Sequence, residues 1–138
     1  MNRDEAQALL ECLWVFEEHR IPNMELLIGV FQANEPRVRA AAIRTLGHWA
    51  GKVTNWESIL ATAASDSSAL VRAEAVKSAV DLGGLPAAES VFSASALPID
   101  PEMDTVLKYA KKELNIEKLV QDMLASGKPL SKLSLIHI

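Results

Sequence analysis

Cysteine is almost missing: Cys12 is the only one in 138 residues. A single thiol excludes an internal disulfide, a CxxC redox pair, a multi-cysteine zinc site and a CxxCH haem attachment within this chain. Long apolar runs are missing too. The longest uninterrupted ones are a few residues, far short of the ~20 that span a bilayer. Positive charge is in deficit, with 14 Lys and Arg against 18 Asp and Glu and a net charge of -4. That balance disfavours non-specific contact with nucleic acid or an anionic membrane, which relies on clustered Lys and Arg. Residues 1–20 carry Asp4, Glu5, Glu11, Glu17 and Glu18 where a secretory signal would have a basic start and an apolar block. No His-x-x-x-His pair occurs, and Gly83-Gly84 is too isolated to cradle a phosphate.

Hydrophobic residues make up 49% and charged residues 23% of a chain of one domain's length. Period-two β-branched runs are absent, whereas 20 alanines and 18 leucines favour helix. The organising feature is a repeat. Val38-Arg39-Ala40-Ala41-Ala42-Ile43-Arg44 aligns without a gap to Val71-Arg72-Ala73-Glu74-Ala75-Val76-Lys77, 33 residues on, with four identities.

Each copy opens a one-sided helix, with Val38, Ala42, Thr45, Leu46 and Trp49 in the first and Val71, Ala75, Ala79 and Leu82 in the second. Each is expected to stop near glycine, at Gly47 and Gly51 or at Gly83-Gly84. Shorter apolar helices follow over 55–65 and 86–96. Flanking periodicity predicts helices over 4–19, 23–33, 101–114 and 116–125, making four helix pairs in all. A lone helical hairpin cannot bury its apolar face, so the expected fold is all-α: an α-solenoid of about four stacked hairpins in a right-handed superhelix over 1–126. Small residues such as Ala40, Ala42, Ala73, Ala75 and Ala79 permit close helix approach, and Trp14, Trp49 and Trp56 would fill wider gaps between layers.

The Val-Arg pairs and the segment Asp66-Ser67-Ser68-Ala69-Leu70-Val71-Arg72 resemble HEAT repeats. In that family an acid in the turn precedes a Val-Arg pair, and the arginines contact turn acids as a ladder. The resemblance implies a ladder of Arg39, Arg72 and Asp66: Arg72 carries the pattern with Asp66, while Asn34 stands one residue out of phase with Arg39. It also implies a non-catalytic scaffold that binds a protein partner or neighbouring domains of its own chain.

A narrower likeness is carried by Leu13-Trp14-Val15, His19, Glu25-Leu26-Leu27, the two Val-Arg segments and His48-Trp49. These are similar to the HEAT segment of planctomycete and verrucomicrobial haem-binding dehydrogenase proteins. That resemblance implies an exported, periplasmic parent with a sugar-dehydrogenase-like propeller before the solenoid and a haem c domain after it. A module outside such a parent would be cytoplasmic. No cofactor is expected in this segment itself. Residues 127–138 read as an irregular tail, and Leu133-Ser134-Leu135-Ile136-His137-Ile138 resembles translated sequencing-adapter read-through at the end of a metagenomic gene fragment.

Few side chains could carry chemistry, and no catalytic or metal-binding residue is assigned. His19 and His48 are the titratable candidates, each placed near a helix end where a cation suits the dipole, with no partner set in view. Glu11, Glu17 and Glu18 read as a solvated helix face rather than an acid–base pair. Arg37, Arg39, Arg44 and Arg72 could form a ridge for phosphate, but the net acidity and the ladder favour pairing between repeats. Cys12 lies at helical spacing among Leu9, Leu13 and Phe16 and is expected to be a buried, inert thiol. Lys108, Lys111 and Lys112, spaced with Glu113 and Glu117, read as a solubilising surface.

Overall fold

The structure is a computed structural model, and it describes residues 1–126. The expectations for 127–138 therefore fall outside the described residues. Eight helices follow one another among the described residues: α1 Arg3–Glu18, α2 Met24–Phe31, α3 Pro36–His48, α4 Glu57–Ala64, α5 Ala69–Leu82, α6 Gly84–Ser95, α7 Pro101–Glu113 and α8 Ile116–Ser126. Among the described residues there is no strand.

Local chemistry explains the starts. Asn2, Asn23 and Asp100 cap α1, α2 and α7, their side chains accepting the backbone N–H of Glu5, Leu26 and Met103 at 2.8, 3.0 and 2.7 Å. Pro36 and Pro101 open α3 and α7, where the missing N–H costs nothing. α5 stops as expected, at Gly83 with φ 73° and ψ 173°, a conformation that only glycine adopts without strain. α3 behaves differently. It runs through Gly47 to His48, so that glycine is interior to the helix, and the left-handed residues in the following loop are Gly51 and Asn55.

The helices form two layers. α1, α3, α5 and α7 stand side by side in sequence, and α4 packs on α6 in the second layer. Four-residue turns, 32–35 and 65–68, join α2 to α3 and α4 to α5, and Gly83 alone joins α5 to α6, whereas residues 49–56 separate α3 from α4 and leave those two helices little mutual contact. Of the pairings expected from the Val-Arg segments, α3 with α4 is therefore loose and α5 with α6 is close, while α2 also packs on α3 and α4 on α5.

α5 is the centre of the stack, with neighbours in α3, α4, α6 and α7. Val71, Ala73, Ala75, Val76 and Ala79 are all buried, and its polar Arg72, Glu74 and Ser78 are buried with them. The alanines let α3 and α5 approach, and the closest point is Gly47 against Ser78, where a Cβ on Gly47 would lie 3.1 Å from the Ser78 Cα. Ser78 spends its hydroxyl on the same seam, donating to the Ile43 carbonyl at 2.8 Å. Leu13, Leu27, Ile43, Leu46, Leu60 and Phe92 fill the interior between the layers. Of the tryptophans, Trp49 is buried and Trp56 partly so, but Trp14 is 45% exposed and fills no interlayer gap.

Candidate functional site

Two arrangements stand out, one structural and one on the surface. The first joins the turns. Arg39 donates from Nε and Nη2 to the two carboxylate oxygens of Asp66, both at 3.0 Å, and from Nη1 to the carbonyls of Ala33 and Asn34 at 3.0 and 2.7 Å. Arg72 reaches the same turn by another route. It donates to the Asp66 carbonyl at 2.8 Å and to the Pro98 carbonyl at 2.7 Å, while its Nε is buried without a partner. Each arginine therefore closes the turn six residues before it, and Asp66 reaches back to the arginine of the preceding repeat. At the next turn Ile99 stands where that register would place an acid, and Asp100 caps α7 instead.

Burial opposes the charge on Asp66. The Arg39 hydrogen bonds, the Ser68 N–H at 2.9 Å and the fields of Arg39 and Arg72 outweigh it, and hold the carboxyl below the usual carboxylate range.

The second arrangement is a face built by α1, α3 and α5. Helical spacing aligns Arg37, Ala41, Arg44 and His48 along the exposed ridge of α3, and the same positions 33 residues on give Leu70, Glu74, Lys77 and Asp81 on α5. Glu74, the one residue of its seven-residue segment that differs in type from its counterpart, faces Arg44 across the seam, with the Arg44 Nη2 donating to Glu74 Oε1 at 2.8 Å. The hydrogen bond from Arg44 to Glu74, together with the acid's field, raises the guanidinium pKa above its ordinary value. Lys77 lies 3.8 Å from the same oxygen. His48 meets Glu17 of α1, Nδ1 to Oε1, at 2.5 Å, and Arg3 reaches Glu35 at 3.6 Å.

A groove of about 420 Å³ opens on this face between α1 and α3, lined by Trp14, Ala41, Arg37, Arg44 and Leu70 among others. Its cause lies in the repeat. Counting back 33 residues from buried Ile43 and Leu46 gives buried Leu10 and Leu13, but Gly47 falls on Trp14. An indole where the neighbouring seam has no side chain keeps the α1/α3 seam from closing as α3/α5 does.

The remaining candidates are placed plainly. His19 turns its Nδ1 to the Val15 carbonyl at 2.9 Å, closing the end of α1. Cys12 is exposed rather than buried, because α1 packs mainly on α2 and α3 and the thiol's side of the helix meets solvent. Glu11 and Glu18 are exposed, and Glu11 accepts from Gln7 at 3.3 Å. Lys108 pairs with Asp104 of its own helix at 2.9 Å, and Lys111 and Lys112 are exposed. Among the described residues no group of three or more His, Cys, Asp or Glu could hold a metal ion, and no helix is long and apolar enough to cross a membrane.

An all-helical chain whose 33-residue units stack in two layers, with arginines tying consecutive turns, is an α-solenoid. A family model, described as HEAT repeats, matches residues 24–101, from the first residue of α2 to the first of α7. The chain belongs to that family. No curated protein and no solved structure was found to match it.

Proposed function

We propose that the chain is a non-catalytic interaction module, a scaffold that holds a protein partner or a neighbouring domain against the face formed by α1, α3 and α5. HEAT repeats generally serve as protein-interaction scaffolds. The observation that carries the reading here is the groove, where two large apolar side chains from different helices, Trp14 and Leu70, stand 45% and 44% exposed beside an arginine ridge. Exposed apolar anchors ringed by Arg are the composition of interface hot spots. The net charge of -4 disfavours nucleic acid as the occupant.

Photo-cross-linking in the source cells tests this, with a photo-reactive amino acid in place of Leu70 on the groove or of Glu25, exposed on α2. A protein adduct from position 70 and not from position 25 supports the module. Equal capture from both, or none from position 70, removes it.

The likeness carried by Leu13-Trp14-Val15, His48-Trp49 and the two Val-Arg segments supports a finer reading, in which the solenoid spaces a sugar-oxidising domain from a haem c domain of one exported parent protein. Reading the coding locus on both sides decides it. A CxxCH downstream and a propeller upstream favour it, and a frame carrying neither ends it.

A further inference from the structure

The partner's chemistry can be taken further, on the footing that the chain is an interaction module. Of the charged residues lining the groove, Arg44 is occupied by Glu74, and Glu35 is met by Arg3. Glu74 is met by both Arg44 and Lys77. Arg37 remains: it is exposed and has no ion pair or hydrogen bond among the described residues. The uncompensated charge in the groove is therefore a single guanidinium.

Next to it on the ridge, the short side chain of Ala41 leaves a notch between Arg37 and Arg44, which are seven residues apart and so about 10 Å along the helix axis. Trp14 and Leu70 stand on either side, from α1 and α5. An apolar side chain set over Ala41 would be covered on both flanks. A carboxylate beside it would meet a guanidinium able to grip both its oxygens.

We propose that the groove receives an acidic segment of a partner protein, seating one large apolar side chain over Ala41 between Trp14 and Leu70 and pairing a neighbouring carboxylate with Arg37. A phosphate polymer fits less well, since one free cation in a groove that also holds Glu35, with Arg44 already paired to Glu74, offers no row of positive charge.

The test is peptide display from a random library on the folded chain, followed by fluorescence anisotropy of the enriched peptides. Enriched sequences should carry Asp or Glu within about four residues of Phe, Leu or Trp. Arg37→Glu should weaken them tenfold or more, Leu70→Ala at least threefold, and Tyr109→Ala, exposed on α7, not at all. Arg37→Glu is expected to fold, because it puts an acid in the first turn of α3. Changing the peptide's acid to Lys should restore binding to that variant. Peptides without acidic bias, or binding indifferent to Arg37→Glu, would overturn the acidic-segment proposal while leaving the scaffold reading intact. Failure to enrich any peptide also overturns it, and the scaffold reading then rests on the cross-linking from position 70.

Discussion

Asp66 and Arg39 lie 27 residues apart and form a two-point pair, both carboxylate oxygens accepting from one guanidinium at 3.0 Å. The side chains are 11% and 16% exposed, so the pair is shielded, and it ties the α4–α5 turn to α3 of the preceding unit. Asp66→Asn keeps the shape and removes the charge. The expected loss is about 1–3 kcal/mol at neutral pH, measured from the urea midpoint.

The same pair sets an acid limb. The folded-state pKa of Asp66 is lowered, so its contribution is complete above the ordinary carboxylate value of about 3.9 and is lost as pH falls through the folded value. The stability gap between the parent and Asp66→Asn should therefore hold from pH 7 to about pH 5 and shrink below about pH 4. A gap that stayed constant down to pH 2 would mean that the carboxylate does not form the charged pair.

Arg72 gives a contrasting case, since it binds two carbonyls rather than a carboxylate. Arg72→Met keeps most of the aliphatic stem and drops the donors to Asp66 and Pro98, which join consecutive inter-helix turns. The cost should be about 1.5–3 kcal/mol, with a weaker acid dependence than at Asp66, arising only through the field that Arg72 exerts on that carboxylate. Matched denaturation series at pH 7 and pH 3.5 check both halves.

How much of this could be read from residues alone differs by level. The 33-residue period and the helical spacing of apolar residues place the helices to within a residue or two, but α5, expected to be one-sided, is buried on most of its faces because α3, α4, α6 and α7 all pack on it. Which arginine holds Asp66 depends on stacking: the acid reaches backward to the preceding repeat, while Arg72, the arginine that follows it in sequence, takes its carbonyl. The Arg44–Glu74 pair had a signal in the repeat, since Glu74 is the odd residue of its copy and stands opposite Ala41. Gly47 misled because glycine near an apolar periodicity signals a helix end as readily as a close helix crossing. Trp14 and Cys12 misled for one reason. Helical spacing among leucines predicts burial only on sides that another helix covers.

Cys12 gives a direct check on how α1 sits. An exposed thiol should react with Ellman's reagent in the folded protein within minutes, one equivalent per chain, without denaturant. Labelling it should leave the melting temperature nearly unchanged, because the added group points to solvent. Reaction only above the urea midpoint would mean that α1 is rotated from the placement described.

The α3/α5 seam makes the sharpest prediction, because two glycines in similar helices should respond with opposite sign. At Gly47 an added Cβ would lie 2.7 Å from the Ser78 Oγ and 3.0 Å from its Cβ. The hydroxyl can rotate, at the cost of its bond to Ile43, but the Ser78 backbone at 3.1 Å cannot move without parting the helices. Gly47→Ala should therefore destabilise by a net 1–2 kcal/mol or so, even after the gain in helix propensity of about 1 kcal/mol. Gly29 in α2 has nothing within 4 Å of the same atom, so Gly29→Ala should keep that propensity gain and stabilise by up to about 1 kcal/mol. Thermal melts of the two variants beside the parent decide the matter: a Gly47→Ala protein as stable as Gly29→Ala would mean that the α3/α5 crossing is looser than the Gly47–Ser78 approach requires.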